Sequence, residues 1–164
     1  MTRTSDTWFS RVRGESNFPT IAPFSVTEIR PFRRENLRRG AFVNIPVSAF
    51  SLHHLFATKL RDRAVSHVCK RIVGLPGDYI YNDRTENLDK VPEGCVYVMG
   101  DNRSNSADSR YYGFAKISDI DGEITRQLLP TVKTLEGLVD MTGRTTIEDS
   151  RRHRGGNEEA EERG

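Results

Sequence analysis

The run Val68-Cys-Lys-Arg-Ile-Val-Gly-Leu-Pro-Gly-Asp78 constrains this chain more than any other stretch. Its first half reads as a β-strand. Val68, Lys70 and Ile72 alternate onto one face, and Cys69, Arg71 and Val73 onto the other. Gly74, Pro76 and Gly77 then end the strand in a turn. Lys70 is thereby set between two β-branched apolar side chains, where an ammonium is costly unless it is neutral or paired. The residue types leave two readings open. One is a lysine that snorkels at a strand edge; the other is a buried lysine with a lowered pKa, fit to act as a general base. A second run, Met99 to Phe114, is dense in Gly, Asp, Asn and Ser. That composition suits a tight loop whose side chains bond its own backbone.

Bulk properties exclude several classes. The 164 residues suffice for one ordinary domain with a real core. A net charge of +2 gives no drive toward nucleic acid. Cys69 and Cys95 form no CxxC, and His53, His54, His67 and His153 lack metal-ligand spacing, so no metal is expected. The longest stretch free of Lys, Arg, Asp and Glu, residues 40–58, contains Asn44, Pro46 and two histidines, so it reads as strands and a loop rather than a membrane span.

Taken in order, residues 1–13 read as a flexible end with no secretory h-region. Gly14 to Thr20 reads as a turn centred on Ser16. Arg30 to Arg39 carries five arginines, read as a solvated connection or as a contact for anionic lipid headgroups. Short strands are expected at 41–47, 68–73, 79–81 and 95–99. Charged, exposed chain is expected at 59–65, a polar connection before Lys90, and a turn at 92–94. Beyond Phe114, Val132, Leu135, Leu138 and Val139 fall at helical spacing, which predicts a short amphipathic helix over 131–141. Residues 143–164, nearly without apolar side chains, should be disordered. The chain is thus expected to be mainly β, with three parts: 1–13, a core over 14–126, and a helix and charged tail over 127–164.

Three boxes, taken in this order, resemble those of the type I signal peptidases, the serine–lysine leader peptidases that include the mitochondrial inner membrane peptidases. Ser16-Asn-Phe-Pro-Thr20 resembles the nucleophile box. Lys70-Arg-Ile-Val-Gly-Leu-Pro-Gly-Asp78 resembles the lysine box almost residue for residue. Gly100-Asp-Asn-Arg-Ser-Asn-Ser-Ala-Asp-Ser-Arg110 resembles the last box, and Arg39-Gly-Ala-Phe-Val43 is a weaker fourth match. The resemblance spans about residues 14–123. It implies antiparallel sheets around a shallow groove, with Ser16 as nucleophile, Lys70 as general base and Ser106 orienting the lysine. Asp108 and Arg110 would form a supporting ion pair, and the Ser16 N–H would be an oxyanion donor. A serine hydroxyl needs such a base, and an unperturbed lysine, titrating near ~10.4, is neutral in only about one molecule in 2,500 at pH 7.

The resemblance further implies precursor proteins with cleavable signal peptides as substrates, a membrane surface, and a partner peptidase subunit. The mitochondrial inner membrane is the favoured setting, with the bacterial cytoplasmic membrane as the alternative. The departures are specific. Gly14 stands where some members carry a hydroxyl residue, Asn17 where the family has Met, and Ala41 where it has Asp. The family's N-terminal anchor has no counterpart here, which implies a processed chain or one held at the membrane by a partner or its own surface. Two rivals follow: a catalytically inactive or partner-dependent relative that binds precursors, and a self-cleaving serine–lysine repressor. The second would need a DNA-binding domain ahead of Ser16.

Overall fold

The computed structural model describes residues 6–54 and 66–135. Ten strands carry the fold: β1 (Trp8–Arg11), β2 (Val26–Pro31), β3 (Phe42–Pro46), β4 (His67–Gly74), β5 (Tyr79–Asn82), β6 (Asn87–Lys90), β7 (Cys95–Met99), β8 (Ala115–Lys116), β9 (Gly122–Leu129) and β10 (Lys133–Thr134). One four-residue helix, α1 (Ser109–Tyr112), follows the last box. The main sheet runs β1-β2-β9-β3-β4-β7-β8, with β10 beside β9, and β5 and β6 form a separate hairpin. Every pairing is antiparallel. The expected mainly β architecture therefore holds.

Alternation along β3 and β4 divides the core. Val43 and Ile45 of β3 join Ile72 of β4, and Val96 and Val98 of β7, in the largest apolar cluster, with Val68 packed against it. Phe42 turns the other way and packs with Ile21, Ile29, Ile124 and Leu135, with Cys69 at its margin. Val73, Ile80, Val91, Tyr97 and Met99 form a third cluster under the β5–β6 hairpin. Lys70 lies directly across from Val43, so its side chain enters the largest cluster beside Val68 and Ile72.

Several expectations need correction. Of the flexible end expected over 1–13, Trp8–Arg11 is a strand paired with β2; its alternation is too short to register against the surrounding polar residues. The polar connection before Lys90 contains β6, which hydrogen-bonds β5 because the turn at 83–86 folds the chain back. The helix expected over 131–141 is not formed where the chain is described. Lys133 and Thr134 pair with Gln127 and Arg126 instead, and Leu135 is buried in the second cluster while Val132 is 73% exposed. A sheet edge and one apolar contact outweigh a weak helical pattern. The boundary expected at 126 accordingly falls inside β9. Residues 59–65, the rest of the expected helix and the tail at 143–164 lie outside the described residues.

The arginine-rich stretch is not a loose connection. Arg30 and Arg38 both pair with Glu123 of β9, at 2.6 and 2.7 Å, and Glu123 is almost fully buried. Arg39 forks onto Asp78 in the turn after β4. These pairs pin the stretch across the sheet.

Within the three apolar clusters of the described residues, one side-chain polar atom is left unsatisfied. The Tyr97 hydroxyl is buried with no hydrogen-bond partner, and the residue is wholly inaccessible. A buried hydroxyl without a partner costs roughly 1–3 kcal/mol. Tyr97→Phe should therefore leave stability unchanged or raise it by about 1 kcal/mol, read as the midpoint of urea unfolding. A clear loss of stability would show that the hydroxyl has a partner after all.

Candidate active site

The site forms where β4, the loop after β7 and the turn after β1 meet. Lys70 is 4% exposed. Its Nζ donates to Ser106 Oγ at 3.2 Å, and Ser106 Oγ donates in turn to Asp108 Oδ2 at 2.8 Å. The same carboxylate oxygen accepts from the Gly100 N–H at 3.1 Å. Arg110 holds Asp108 from behind, with Nε on Oδ1 at 2.9 Å and Nη2 on Oδ2 at 3.0 Å. Asp108, fully buried, also caps α1 by accepting from the Arg110 N–H. The structure thus brings Lys70, Ser106, Asp108 and Arg110 into one chain of hydrogen bonds.

Burial is the largest influence on Lys70 and pushes its pKa below the ordinary lysine value. Asp108 works against that shift, while Arg110 adds to it. Cys69, next in sequence, faces the opposite cluster, and burial pushes its thiol up to about 12. It stays a neutral packing group, as expected for a core cysteine.

Ser16 is held by its backbone. Its carbonyl accepts from the Asn102 N–H at 2.8 Å, and the Glu15 carbonyl accepts from Asn102 Nδ2 at 3.1 Å. Gly100 shows how close the segments lie. A Cβ there would overlap both the Ser16 carbonyl oxygen and the Ser106 hydroxyl, so only glycine lets the two serine-bearing segments approach the same point. Among the described residues neither the hydroxyl nor the N–H of Ser16 hydrogen-bonds to Lys70 or to any other group. A Cβ added at Gly14 would meet nothing within 4 Å, which leaves open space on that side of the turn.

Two supporting elements were not assigned from the sequence. Arg71, 1% exposed, clasps Asp101 with Nε and Nη2 at 2.8 and 2.7 Å and donates Nη1 to the Gly40 carbonyl. Its guanidinium also lies 4.3 Å from the centre of the Phe42 ring. Thr20 Oγ1 donates to the same Asp101 at 2.5 Å, so one carboxylate joins β4, the last box and the end of the nucleophile box. Lys133 of β10 then donates to the Thr20 carbonyl at 2.8 Å. The signal was present: an Arg next to the lysine, on the opposite face of the strand, and an Asp next to the glycine of the last box. Ala41, the third departure, is a buried core residue of the largest cluster.

Comparison with known proteins bears on the family resemblance. The family model described as "Signal peptidase, peptidase S26" matches residues 81–128, which include Ser106, Asp108 and Arg110 and begin after Lys70. The chain is 44% identical over 66 residues to mitochondrial inner membrane protease subunit 1 of Schizosaccharomyces pombe, covering 39% of this chain and 42% of the relative. Over these stretches the chain is similar to the type I signal peptidases. The corresponding subunit of Saccharomyces cerevisiae is 31% identical over 132 residues, covering 71% of this chain and 64% of that protein. Signal peptidase I of Bacillus caldolyticus is 43% identical over 56 residues, covering 34% and 30%. These alignments span between about a third and two thirds of the relatives' own lengths. Among the described residues no helix is long and apolar enough to cross a membrane.

The Arg71–Asp101 pair generates a prediction. Both partners are nearly inaccessible, with side chains 2% and 3% exposed. Removing one leaves a buried uncompensated charge, which costs roughly 3–5 kcal/mol. Asp101→Asn should lose about that much in urea unfolding. Arg39→Ala, whose pair with Asp78 is half exposed, should lose under about 1 kcal/mol. Equal losses would contradict the assignment of Asp101 as the buried joint.

Proposed function

We propose that the chain is a serine endopeptidase that removes signal or presequence peptides from membrane-translocated precursors through a Ser16–Lys70 dyad. The observation that carries the reading is Lys70 Nζ, buried and hydrogen-bonded to Ser106 with Asp108 and Arg110 behind it. A lysine in that setting is driven toward the neutral form a general base requires. In this reading neutral Lys70 takes the proton from Ser16 Oγ as that oxygen attacks the scissile carbonyl carbon. The Ser16 N–H, which donates to nothing else, supports the oxyanion. Lys70 returns the proton to the leaving amine as the C–N bond breaks, leaving an acyl ester on Ser16. Water then gives a proton to Lys70 and attacks the ester carbonyl carbon; as the bond to Ser16 Oγ breaks, Lys70 returns that proton to Ser16 Oγ and the carboxyl product leaves. Every proton moves between Ser16, Lys70, water and substrate, so no cofactor is required.

The implied partners are precursors with cleavable signal peptides, a membrane surface and a partner peptidase subunit. The mitochondrial inner membrane is the favoured setting, because two of the relatives described above carry that name; a bacterial cytoplasmic membrane is the alternative. One observation favours a second reading, an inactive or partner-dependent relative: the Ser16 hydroxyl makes no hydrogen bond to Lys70. Such bonds often tighten only when substrate binds, so the first reading stands ahead.

Incubation of the purified chain in detergent with a signal-bearing precursor, followed by mass spectrometry, tests this. A single cut after a small residue is expected, lost by about 10³-fold or more in Ser16→Ala and in Lys70→Ala. A precursor that binds but stays intact, with or without added lipid, would support the second reading instead. The pH profile adds a signed prediction. Because the base must be unprotonated, kcat/KM should rise with pH through the Lys70 pKa. Asp108 raises that pKa, so Asp108→Asn should move the acid limb to lower pH while lowering the maximum. An acid limb that stays in place would remove Lys70 as the titrating group.

A further inference from the structure

We propose that Asn17 is a positioning residue that fixes the distance between Ser16 and Lys70. The proposal rests on the peptidase reading above. Asn17 follows the nucleophile directly and is 2% exposed. Its Nδ2 donates to the Cys69 carbonyl at 2.9 Å, and Cys69 precedes Lys70 directly. One side-chain bond thus joins the residue after the nucleophile to the residue before the base, across 52 positions of sequence. The remaining holds act elsewhere: Asn102 on the Ser16 carbonyl, Thr20 on Asp101 and Lys133 on the Thr20 carbonyl.

A second observation separates positioning from plain stability. Asn17 Oδ1 is buried with no partner. An unpartnered buried amide oxygen carries a desolvation cost, so half of this side chain works against folding. A residue selected for stability alone would be apolar or fully bonded at this point; local violations of that kind concentrate at functional sites. The amide also holds the backbone from which the rest of the turn springs, because the Asn17 carbonyl accepts from the Ile21 N–H at 2.9 Å. Ile21 is itself fully buried in the second cluster. Asn17 therefore anchors the turn at its β4 side while Ile21 anchors it at its core side, leaving the Ser16 hydroxyl free between them.

The test compares Asn17→Ala and Asn17→Asp with the parent chain. Asp keeps the shape of the side chain but has no donor for the Cys69 carbonyl, so it isolates the hydrogen bond from the packing. Two readouts are taken: amide hydrogen exchange across residues 14–22, and steady-state cleavage of a signal-bearing precursor peptide. Both variants should exchange faster in that segment alone. Each should lose about 10- to 100-fold in kcat, the penalty of a nucleophile displaced by roughly an ångström, with KM within about twofold. Thermal unfolding of the variants confirms that a fold remains to be measured, and if Ala does not fold, Asp carries the test. Unchanged exchange in the 14–22 segment overturns the bridge. A parent-like kcat in Asn17→Asp overturns the positioning role even if exchange rises. Ser16→Ala keeps the two readings apart, because unchanged cleavage there overturns the peptidase reading itself.

Discussion

A lysine amine buried away from bulk water decides how this molecule is put together. Lys70 sits on β4 across from Val43, flanked by Val68 and Ile72, in the largest apolar cluster. Burial alone would leave it a costly charge or a neutral amine without a partner. The loop after β7 answers this by delivering Ser106 to Nζ. Ser106 is in turn fixed by Asp108, and Asp108 by Arg110 and the Gly100 N–H. The polar network is fully connected, which is the condition under which buried polar groups rigidify a structure rather than weaken it. It also explains the composition of the last box, where Gly, Ser, Asp and Arg each fill a place no apolar residue could.

A second buried joint, on the opposite face of the same strand, sets the position of the nucleophile box. Arg71 and Asp101 are consecutive neighbours of Lys70 and Gly100; alternation along β4 sends Arg71 away from the lysine, and Asp101, in the loop after β7, meets it there. Asp101 gathers Arg71 and Thr20, while the next residue, Asn102, holds the Ser16 carbonyl. The two joints therefore use adjacent residues on the same two segments. One controls the protonation of Lys70, the other the placement of Ser16. Lys133, donating to the Thr20 carbonyl, extends this second joint to β10, beyond the residues matched by the family model.

Much of this was legible before any coordinates. The strand from 68 to 73, the turn at 74–78 and the buried strand at 95–99 follow from alternation and turn residues, while the grouping of Lys70 with Ser106, Asp108 and Arg110 was implied by the family resemblance of the boxes. What escaped the sequence is of one kind. Trp8–Arg11, Asn87–Lys90 and Lys133–Thr134 are short segments of two to four residues, which become strands only because a neighbour offers an edge. Pairing of that sort is a long-range fact that local pattern does not carry. The same holds for Glu123, which looks like any surface acid yet is buried between Arg30 and Arg38. Asn17 is a case between the two. Its departure from the box was visible, but its bond to Cys69, 52 residues away, was not.

The account turns on the protonation of one side chain, and that can be observed directly. The chain would be labelled with lysine carrying carbon-13 at Cε and titrated by NMR, with Lys70→Met assigning the resonance. The expected result is that the signal absent from the Lys70→Met spectrum titrates with a midpoint below the ordinary ~10.4. A Lys70 midpoint at or above that value would mean that Asp108 holds the ammonium charged. The dyad would then lack its base.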